Sequence, residues 1–388
     1  MFGYLKNFFH FKKYHTYNNF HFEELGYKKS GAESYKNNVI VNRCVNIISQ
    51  SAAHVPWVVL EKKQAGFAKS QHHIANQLLR HPSPNKAGAE FFSELIANKL
   101  LFGNAYILAV KSGAKSLPQE LYSLNPSAVE VVMHNSRITG YKYSASSEPK
   151  LYPIDPLTLQ SNVLHIKSYN PGGFPYGVSC LEAAGRLIDL HNRATEWNHT
   201  LLKNGARPSG AFVVGNGNYL TQEQFMRLQQ DLQDKYYGSN NAGRPLLLEG
   251  GLDWKEMSIS PRDMDFIESK NSAAREIALA FGLPPQLLGI NGDNTYSNMQ
   301  EARLALWEET LIPLLDKLAD SLSGWFSYLC AQELRIDFDK DGILALTDRR
   351  EKLWMTLNNV NFMSINEKRS LVGLAPISQG DKIVDQKS

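Results

Sequence analysis

Apolar residues recur at helical spacing along several long stretches of the chain, and short alternating runs lie between them. From about residue 37 the helical pattern continues to Pro56, where a strand is expected to begin. A second helix follows the turn at Pro82 and Pro84 and ends at Gly103. Strands are then predicted at AYILAVKSG, ELYSLNPSAVEVV, ITGYKYSA and NVLHIKS. The first part of the chain is therefore predicted to be an α+β domain.

The pattern changes after the segment NPGGFPYGVS, residues 170–179. Ser179 is suited to cap a long helix, which Gly205 and Pro208 should end. Alternating spacings of three and four residues place a narrow apolar seam on this helix, consisting of Leu187, Leu190, Ala194, Trp197 and Leu201. A seam of this kind requires a partner helix, and we expect it to make assembly contacts.

The pattern of residues 206–259 predicts a small α/β insertion, in which the strands AFVV, RPLLLEGG and DWKEMSI surround one helix. Thr221 and Gln224 form a capping box, and Phe225, Leu228, Leu232 and Tyr236 are predicted to be the buried stripe. A segment this short buries little surface, so its strands are expected to pair outside the subunit. The opposite helix face should bind a partner through a mixture of charges, at Arg227, Gln230, Asp231, Asp234 and Lys235.

A second long helix is predicted from Ser260 to Phe281, and a polar loop follows at residues 283–298. No Lys or Arg occurs between residues 283 and 302. The loop residues expected to be functional are small or polar: Gly289, Asn291, Gly292, Asp293, Asn294 and Tyr296. Ser297 is predicted to cap a third long helix with a kink at Pro313. The strand ELRIDFD follows, and then two short helices, the second capped by Ser364.

Composition narrows the possible functions. The chain of 388 residues is 43% hydrophobic and 20% charged, as in ordinary globular proteins. A formal net charge of +3 argues against a protein that binds nucleic acid tightly over a large basic face. The three cysteines suggest neither a disulfide framework nor a zinc site. No stretch is long and apolar enough to predict a membrane span, and the basic, aromatic residues 1–30 are interpreted as an arm rather than a signal peptide.

Catalytic motifs are missing from the sequence: it contains no GxxxxGK[ST], HExxH or GxSxG, and no cofactor is predicted. One metal-binding pattern has an alternative interpretation. Calcium-loop spacing is matched by Asp337, Asp339, Asp341, Gly342 and Asp348. The preceding residues alternate like a strand, which favours a strand followed by a turn. A calcium-assisted phosphodiesterase at these aspartates and a helical DNA adaptor outside any ring remain the alternative functions.

Six segments, taken in order, resemble the portal proteins of tailed bacteriophages. They are FGNAY (102–106), VLHIKSYNPGGFPYGVS (163–179), LLKNGARPSGAF (201–212), IALAFGLPPQLLG (277–289), YSNMQEARLALWEETLIPLL (296–315) and NEKRSLVGLAPISQGD (366–381). The chain is most similar to the shorter portal family of long-tailed phages and gene transfer agents. Nearly the whole chain after the arm takes part in this resemblance.

The resemblance implies an α+β portal fold assembled as a ring, usually of twelve subunits, at one capsid vertex. It divides the chain into an arm (1–30), a wing (31–178 and 299–346), two stem helices (179–205 and 260–282), a clip (206–259), a tunnel loop (283–298) and a crown with tail (347–388). It implies a structural protein rather than an enzyme. The partners it implies are double-stranded DNA, the large terminase subunit, a head-tail connector, and a major capsid or scaffold protein. Its place would be the virion, after assembly in the host cytoplasm.

The ring also suggests why the loop lacks basic residues. In a ring, residues 283–298 would project into the channel through which DNA slides. Each phosphate that Lys or Arg neutralises adds salt-dependent affinity, so a loop without these residues can touch DNA without holding it. We therefore expect the loop to line the channel.

Overall fold

The computed structural model describes residues 31–381 except 65, 71, 114–115, 136, 146–147, 173–174, 204–209, 215–220, 237–251, 257–265 and 291–295. The helices are α1 (Gly31–Asn37), α2 (Val39–Ala53), α3 (Ile74–Arg80), α4 (Gly88–Phe102), α5 (Cys180–Lys203), α6 (Gln222–Tyr236), α7 (Phe266–Ala280), α8 (Tyr296–Ala305), α9 (Ile312–Cys330), α10 (Thr347–Asn359) and α11 (Ile365–Leu371). The strands are β1 (Trp57–Lys63), β2 (Gly66–Lys69), β3 (Asn104–Lys111), β4 (Pro118–Leu124), β5 (Val129–His134), β6 (Arg137–Tyr143), β7 (Lys150–Pro153), β8 (Val163–Lys167), β9 (Gly210–Val214), β10 (Leu252–Glu256) and β11 (Leu334–Phe338).

These elements form two compact units. The helical unit consists of residues 31–43 and the described part of 179–280, and the mixed unit consists of the described parts of 44–178 and 281–381. In the mixed unit, three antiparallel sheets have the strand orders β11-β1-β2, β4-β3-β8 and β5-β6-β7. In the helical unit, α5 packs against α7, and β9 pairs with β10.

The core of the mixed unit surrounds α9. The side chains of Trp325, Phe326, Phe91 and Phe92 are almost completely buried in one apolar cluster. The indole nitrogen of Trp325 donates a hydrogen bond to the carbonyl oxygen of Ser161 at 2.9 Å, so this buried polar group is satisfied. Helix α9 therefore packs against α4 and the strands of the β4-β3-β8 sheet.

Most of the predicted elements are present. The helix before Pro56, the helix that ends at Gly103 and the strands after it all form, and Gly103 has the left-handed conformation of a helix end (φ 68°). Helices α1 and α3 and strands β2 and β7 are absent from the sequence-based prediction. The predicted start of the second long helix at Ser260 lies outside the described residues.

Two local predictions are wrong. Ser297 lies inside α8 rather than at its cap, because the helix already includes Tyr296. The insertion strands β9 and β10 pair with each other, with Phe212 opposite Trp254, instead of pairing outside the subunit. The antiparallel pair satisfies its facing backbone groups within the chain, so no external strand is required for them.

A disturbed turn separates α8 from α9. Residues Leu306–Leu311 form a π-helical segment, and Pro313 follows in the first turn of α9. Proline has no backbone N–H to donate to the preceding turn and its ring clashes there, which explains the irregularity predicted at this position. Within the described residues, no helix combines the length and apolar character needed to cross a membrane.

Candidate functional site

The predicted seam of α5 packs only partly inside the chain. Ala194 is buried, Leu187 and Trp197 are half-buried, and Leu190 is 45% exposed. Leu201 lies in α5, but its side chain is outside the described residues. The stripe buried within the chain is a neighbouring one, formed by Leu181, Ala184, Ile188 and His191. The predicted seam is therefore not the main internal contact, and part of it remains on the surface of the subunit.

A buried polar cluster fastens the start of α2 to α5. The Nδ2 of Asn38 donates to Asn192 Oδ1 at 2.8 Å and lies 3.3 Å from His191 Nδ1. The Oδ1 of Asn38 accepts hydrogen bonds from two backbone N–H groups of α2, each at 3.0 Å. Burial and the positive charge of Lys270 lower the pKa of His191, which favours the neutral ring that can accept from Asn38. This cluster fixes residues 31–43 to the helical unit.

Helix α7 has a buried face of small side chains and exposes larger ones. Ala273, Ala274, Ile277 and Ala278 are buried. By contrast, Ile267 is 78% exposed and Leu279 is 62% exposed. Alanines allow the two helices to approach closely, and the larger apolar side chains remain outside their contact.

The predicted clip helix is α6. Its capping box is confirmed: the Thr221 N–H donates to Gln224 Oε1 at 3.0 Å, and the Gln224 N–H donates to Thr221 Oγ1 at 3.4 Å. Of the predicted partner residues, Arg227 and Gln230 are exposed. The other three, Asp231, Asp234 and Lys235, lie in the same helix with side chains outside the described residues.

The prediction that the apolar stripe of α6 is buried is wrong for the first residues of the stripe. Phe225 is 58% exposed, and Leu228 is half-buried. The neighbouring Met226 is 63% exposed. Sequence periodicity identifies an apolar face but not what covers it, and the described residues of this chain do not bury this one.

The base of the predicted tunnel loop is held firmly within the mixed unit. Phe281 is 3% exposed, and Leu283 is fully buried. Between them, Gly282 has a φ of 72°, which a side chain would strain. Thr310 Oγ1 donates a hydrogen bond to the carbonyl oxygen of Gly282 at 2.6 Å. The π-helical segment therefore positions the point from which the loop leaves.

Beyond this base the loop turns twice. Residues Pro285–Leu288 form a short 3-10 helix, which Gly289 ends with a φ of 79°. The predicted tip residues Asn291, Gly292, Asp293 and Asn294 lie outside the described residues, and Tyr296 is the first residue of α8. The described residues therefore place the base and the end of the loop but not the tip.

The aspartates of the calcium pattern make structural contacts. Asp337 is in β11, and its Oδ1 accepts from the N–H of Phe338 at 2.9 Å. Asp339 caps the following turn by accepting from the N–H of Asp341 at 3.0 Å. Asp341 forms an ion pair with Arg350 at 2.8 Å. Across the described parts of the chain, no three His, Cys, Asp or Glu side chains converge as metal ligands. A strand followed by a turn accounts for the pattern, and the geometry gives the calcium alternative no support.

Asn104 joins two of the segments on which the resemblance rests. Its Oδ1 accepts from the Gly177 N–H at 2.8 Å and lies 3.0 Å from His165 Nε2. Its Nδ2 donates to the carbonyl oxygen of Phe102 at 2.7 Å. Gly177 has no room for a side chain, because an added Cβ would lie 2.3 Å from the carbonyl oxygen of Gly103. These contacts were not predicted from the sequence, although FGNAY and PYG both occur in segments that carry the resemblance.

The protein-family comparison matches residues 39–373 to the model described as phage portal protein. The chain belongs to the phage portal protein family. The resemblance identified from the six segments is therefore confirmed. The match extends from α2 to the end of α11 and includes both units.

Individual portal relatives support the same assignment. The chain is 24% identical over 356 residues to the portal protein of Enterobacteria phage HK97, covering 89% of this chain and 80% of that protein. An uncharacterized protein of Rickettsia bellii is 61% identical over 354 residues, covering 91% of each chain. Among solved structures, a chain from the neck of a native gene transfer agent particle is 37% identical, with a TM-score of 0.67, and the match covers 89% of this chain and 92% of that one.

The portal assignment confirms the mixed α+β portal fold and a structural rather than catalytic family. It does not decide which residues face a channel, a neighbouring subunit or a partner. Those roles depend on the surfaces of α5, α6 and α7 and on the loop after Gly289.

Proposed function

We propose that this portal protein forms a closed ring of twelve subunits at one capsid vertex, through which double-stranded DNA is packaged, retained and released. The gene transfer agent neck to which the chain is 37% identical was computed with C12 symmetry. In this proposal the ring belongs to the virion and assembles in the host cytoplasm.

The proposed regions follow the sequence-based division, except that residues 31–43, predicted to belong to the wing, lie in the compact helical unit. Helices α5 and α7 would be the stem, and β9, α6 and β10 between them would be the clip. The mixed unit would supply the wing, with α10 and α11 as a short crown. The compact helical unit supports this division, because it contains the proposed stem and clip together.

The observation that carries the ring proposal is the exposed apolar surface of the helix pair. Leu190, Ile267 and Leu279 are 45%, 78% and 62% exposed in the single subunit. Such side chains are stabilised when neighbouring copies cover them. Native mass spectrometry and negative-stain imaging of the purified full chain at micromolar concentration should find a closed oligomer. A protein that stays monomeric over a range of salt and concentration would contradict the proposal.

The tunnel loop would touch DNA without holding it. Because residues 283–302 contain no Lys or Arg, the double substitution Asn291→Lys with Asn294→Lys adds up to two phosphate contacts per subunit. Packaging should slow or stall and should recover partly as ionic strength rises. The matched control is Asn291→Gln with Asn294→Gln, which keeps the side chains polar and uncharged. Equal packaging rates for both variants would exclude this role for the loop.

The clip would dock the large terminase subunit and later a head-tail connector, while the wing would contact the major capsid or scaffold protein. Exposed Phe225, Met226 and Arg227 support a contact surface on α6. Asp231→Lys with Asp234→Lys should preserve rings and weaken terminase binding in a pull-down with purified proteins. Asp231→Asn with Asp234→Asn separates loss of charge from its reversal. Unchanged binding by the lysine variant would place the docking surface elsewhere.

A further inference from the structure

We propose that a basic pocket in the mixed unit binds a phosphate group of the duplex DNA backbone. The cavity has a volume of about 640 Å³ and lies where β8 leads into the loop at residues 168–172, beside α9. This inference rests on the proposed function, since it adds a DNA contact away from the tunnel loop.

The lining of the pocket is positive and rich in hydrogen-bond donors. Lys167 extends from the end of β8, and Lys317 extends from α9. Ser168 and Ser321 also line the cavity, and the Ser321 hydroxyl donates to the carbonyl oxygen of Lys317 at 2.8 Å. Among the described residues, no Asp or Glu lines this cavity. Two ammonium groups with hydroxyl donors around one concave surface suit an anion with several oxygen atoms.

Lys99 adds positive charge close to the pocket. Its Nζ donates to Ser168 Oγ at 3.2 Å, and Lys99 and Lys317 together line a smaller cavity next to the first. Lys167 Nζ donates to the carbonyl oxygen of Pro175 at 3.3 Å, which fixes the ammonium at the wall. The three lysines come from α4, β8 and α9, so the fold brings together charges that are far apart in sequence.

Asn170 makes two hydrogen bonds with the described residues of the wall. Asn170 Oδ1 accepts from the Gly172 N–H at 2.9 Å, and Asn170 Nδ2 donates to the carbonyl oxygen of Tyr176 at 2.9 Å. Burial lowers the pKa of Lys167, which shows that its ammonium has lost part of its hydration. An anion in the pocket would compensate for that loss. Because Lys167 is held at the wall, binding an anion requires little rearrangement of its side chain.

A DNA phosphate fits these features better than an acidic peptide does. DNA presents a phosphodiester at every nucleotide, and backbone phosphates are the usual partners of lysine in protein–DNA contacts. A net charge of +3 is too small for a broad basic face, so a discrete pocket is the better place for a DNA contact. Tyr169 is 82% exposed beside the pocket and can donate its hydroxyl to a second backbone oxygen.

The test is fluorescence anisotropy of a labelled DNA duplex bound to the full-length protein over a series of salt concentrations. We expect Lys167→Gln and Lys317→Gln each to weaken binding, and the double variant, which loses the phosphate contact, to reduce the magnitude of the slope of log affinity against log salt by about 0.9. The matched control is Lys69→Gln, which removes one exposed lysine of the same unit outside the pocket and should keep the slope of the parent. Lys317→Arg should bind like the parent.

Competition identifies the source of the anion. Unlabelled duplex should displace the labelled duplex from the parent. If inorganic phosphate binds the pocket while the slope for DNA is the same in all variants, the pocket is a site for free phosphate and the DNA proposal is wrong. If only polyglutamate competes, the partner is an acidic protein and the proposal is also wrong. Negative-stain imaging of the same samples tests ring formation separately. Failure of the pocket proposal can therefore be distinguished from failure of the ring proposal.

Discussion

The core around α9 and the α5–α7 helix pair treat their large apolar side chains differently. Around α9, the side chains of Trp325 and Phe326 are at most 1% exposed. On the α5–α7 pair, Ile267 and Leu279 are mostly exposed, and small alanines occupy much of the buried face. The α9 core buries its large apolar side chains within the chain, whereas the α5–α7 pair leaves apolar side chains that neighbouring copies could cover. Similar helical periodicity therefore produces a buried core at α9 and exposed apolar side chains on the α5–α7 pair.

The largest expected effect tests the internal core. Trp325→Ala removes a side chain that is 1% exposed and leaves a cavity, with the carbonyl oxygen of Ser161 losing its donor. We expect the free energy of unfolding of the mixed unit to fall by about 3–5 kcal/mol. Urea denaturation followed by circular dichroism measures it. Leu344→Ala is the control, because Leu344 is 89% exposed and its loss should change stability little. Equal losses for both variants would mean that α9 is not the stabilising centre.

The next effect tests whether the helical unit depends on neighbours. Trp197 is half-buried on the predicted assembly seam, and Trp197→Asp places a carboxylate at the proposed contact. An uncompensated buried charge should weaken assembly by on the order of 3 kcal/mol per contact. Mass photometry at several concentrations measures the oligomer fraction. His199→Asp introduces the same group at an exposed position two residues away and should assemble more fully. If the two variants assemble alike, the seam is not the contact.

A pH effect sharpens the description of the mixed unit. Burial and the nearby Lys167 lower the pKa of His165 from 6.5 to about 3. The unfolded chain therefore takes up a proton as the pH falls below 6.5, while the folded chain does not, and stability present above pH 6.5 is lost on acidification. Between pH 7 and pH 5 this histidine should contribute about 2 kcal/mol of the loss.

The measurement compares urea denaturation of the parent and His165→Gln at the two pH values. The variant should lose less stability on acidification. At pH 7 its free energy of unfolding should be lower than that of the parent, because the contact with Asn104 changes. Trp325→Ala is the control: it lowers stability but keeps the histidine, so its pH dependence should match that of the parent. If His165→Gln shows the parent's pH dependence, the buried ring does not cause it.

The sequence predicted the elements better than their contacts. Apolar periodicity and the helix-end, cap and kink signals at Gly103, Ser179 and Pro313 located helices and strands. These signals act over a few neighbouring residues. The buried stripe of α5 lies beside the predicted seam, since both stripes are apolar and the choice depends on how α7 packs against it. The bond from Gly177 to Asn104 spans 73 residues, and no local pattern reports such a contact.

The candidate surfaces were predictable to a smaller extent. The polar loop and the mixed charges of α6 are visible in the sequence, but whether they meet DNA or a partner depends on copies outside the chain. The pocket at Lys167 and Lys317 was missed, because its residues lie on different elements and none has a motif. A contact between subunits would likewise leave only exposed apolar side chains as its signal in one chain, and Leu279 is a candidate.

The smallest expected effect compares one capping box from each unit. Ser364 is 5% exposed and accepts from the Glu367 N–H at 3.2 Å, while Glu367 accepts from the Ser364 N–H at 2.7 Å. Thr221 makes the same pair of contacts with Gln224 at an exposed helix start. Each cap should contribute about 1 kcal/mol to its own helix. Hydrogen exchange of the first turns should increase in Ser364→Ala near α11 and in Thr221→Ala near α6. If α6 is covered in the ring, the Thr221→Ala effect should be larger in dissociated subunits than in rings. Equal exchange in both states would show that assembly does not protect the clip helix.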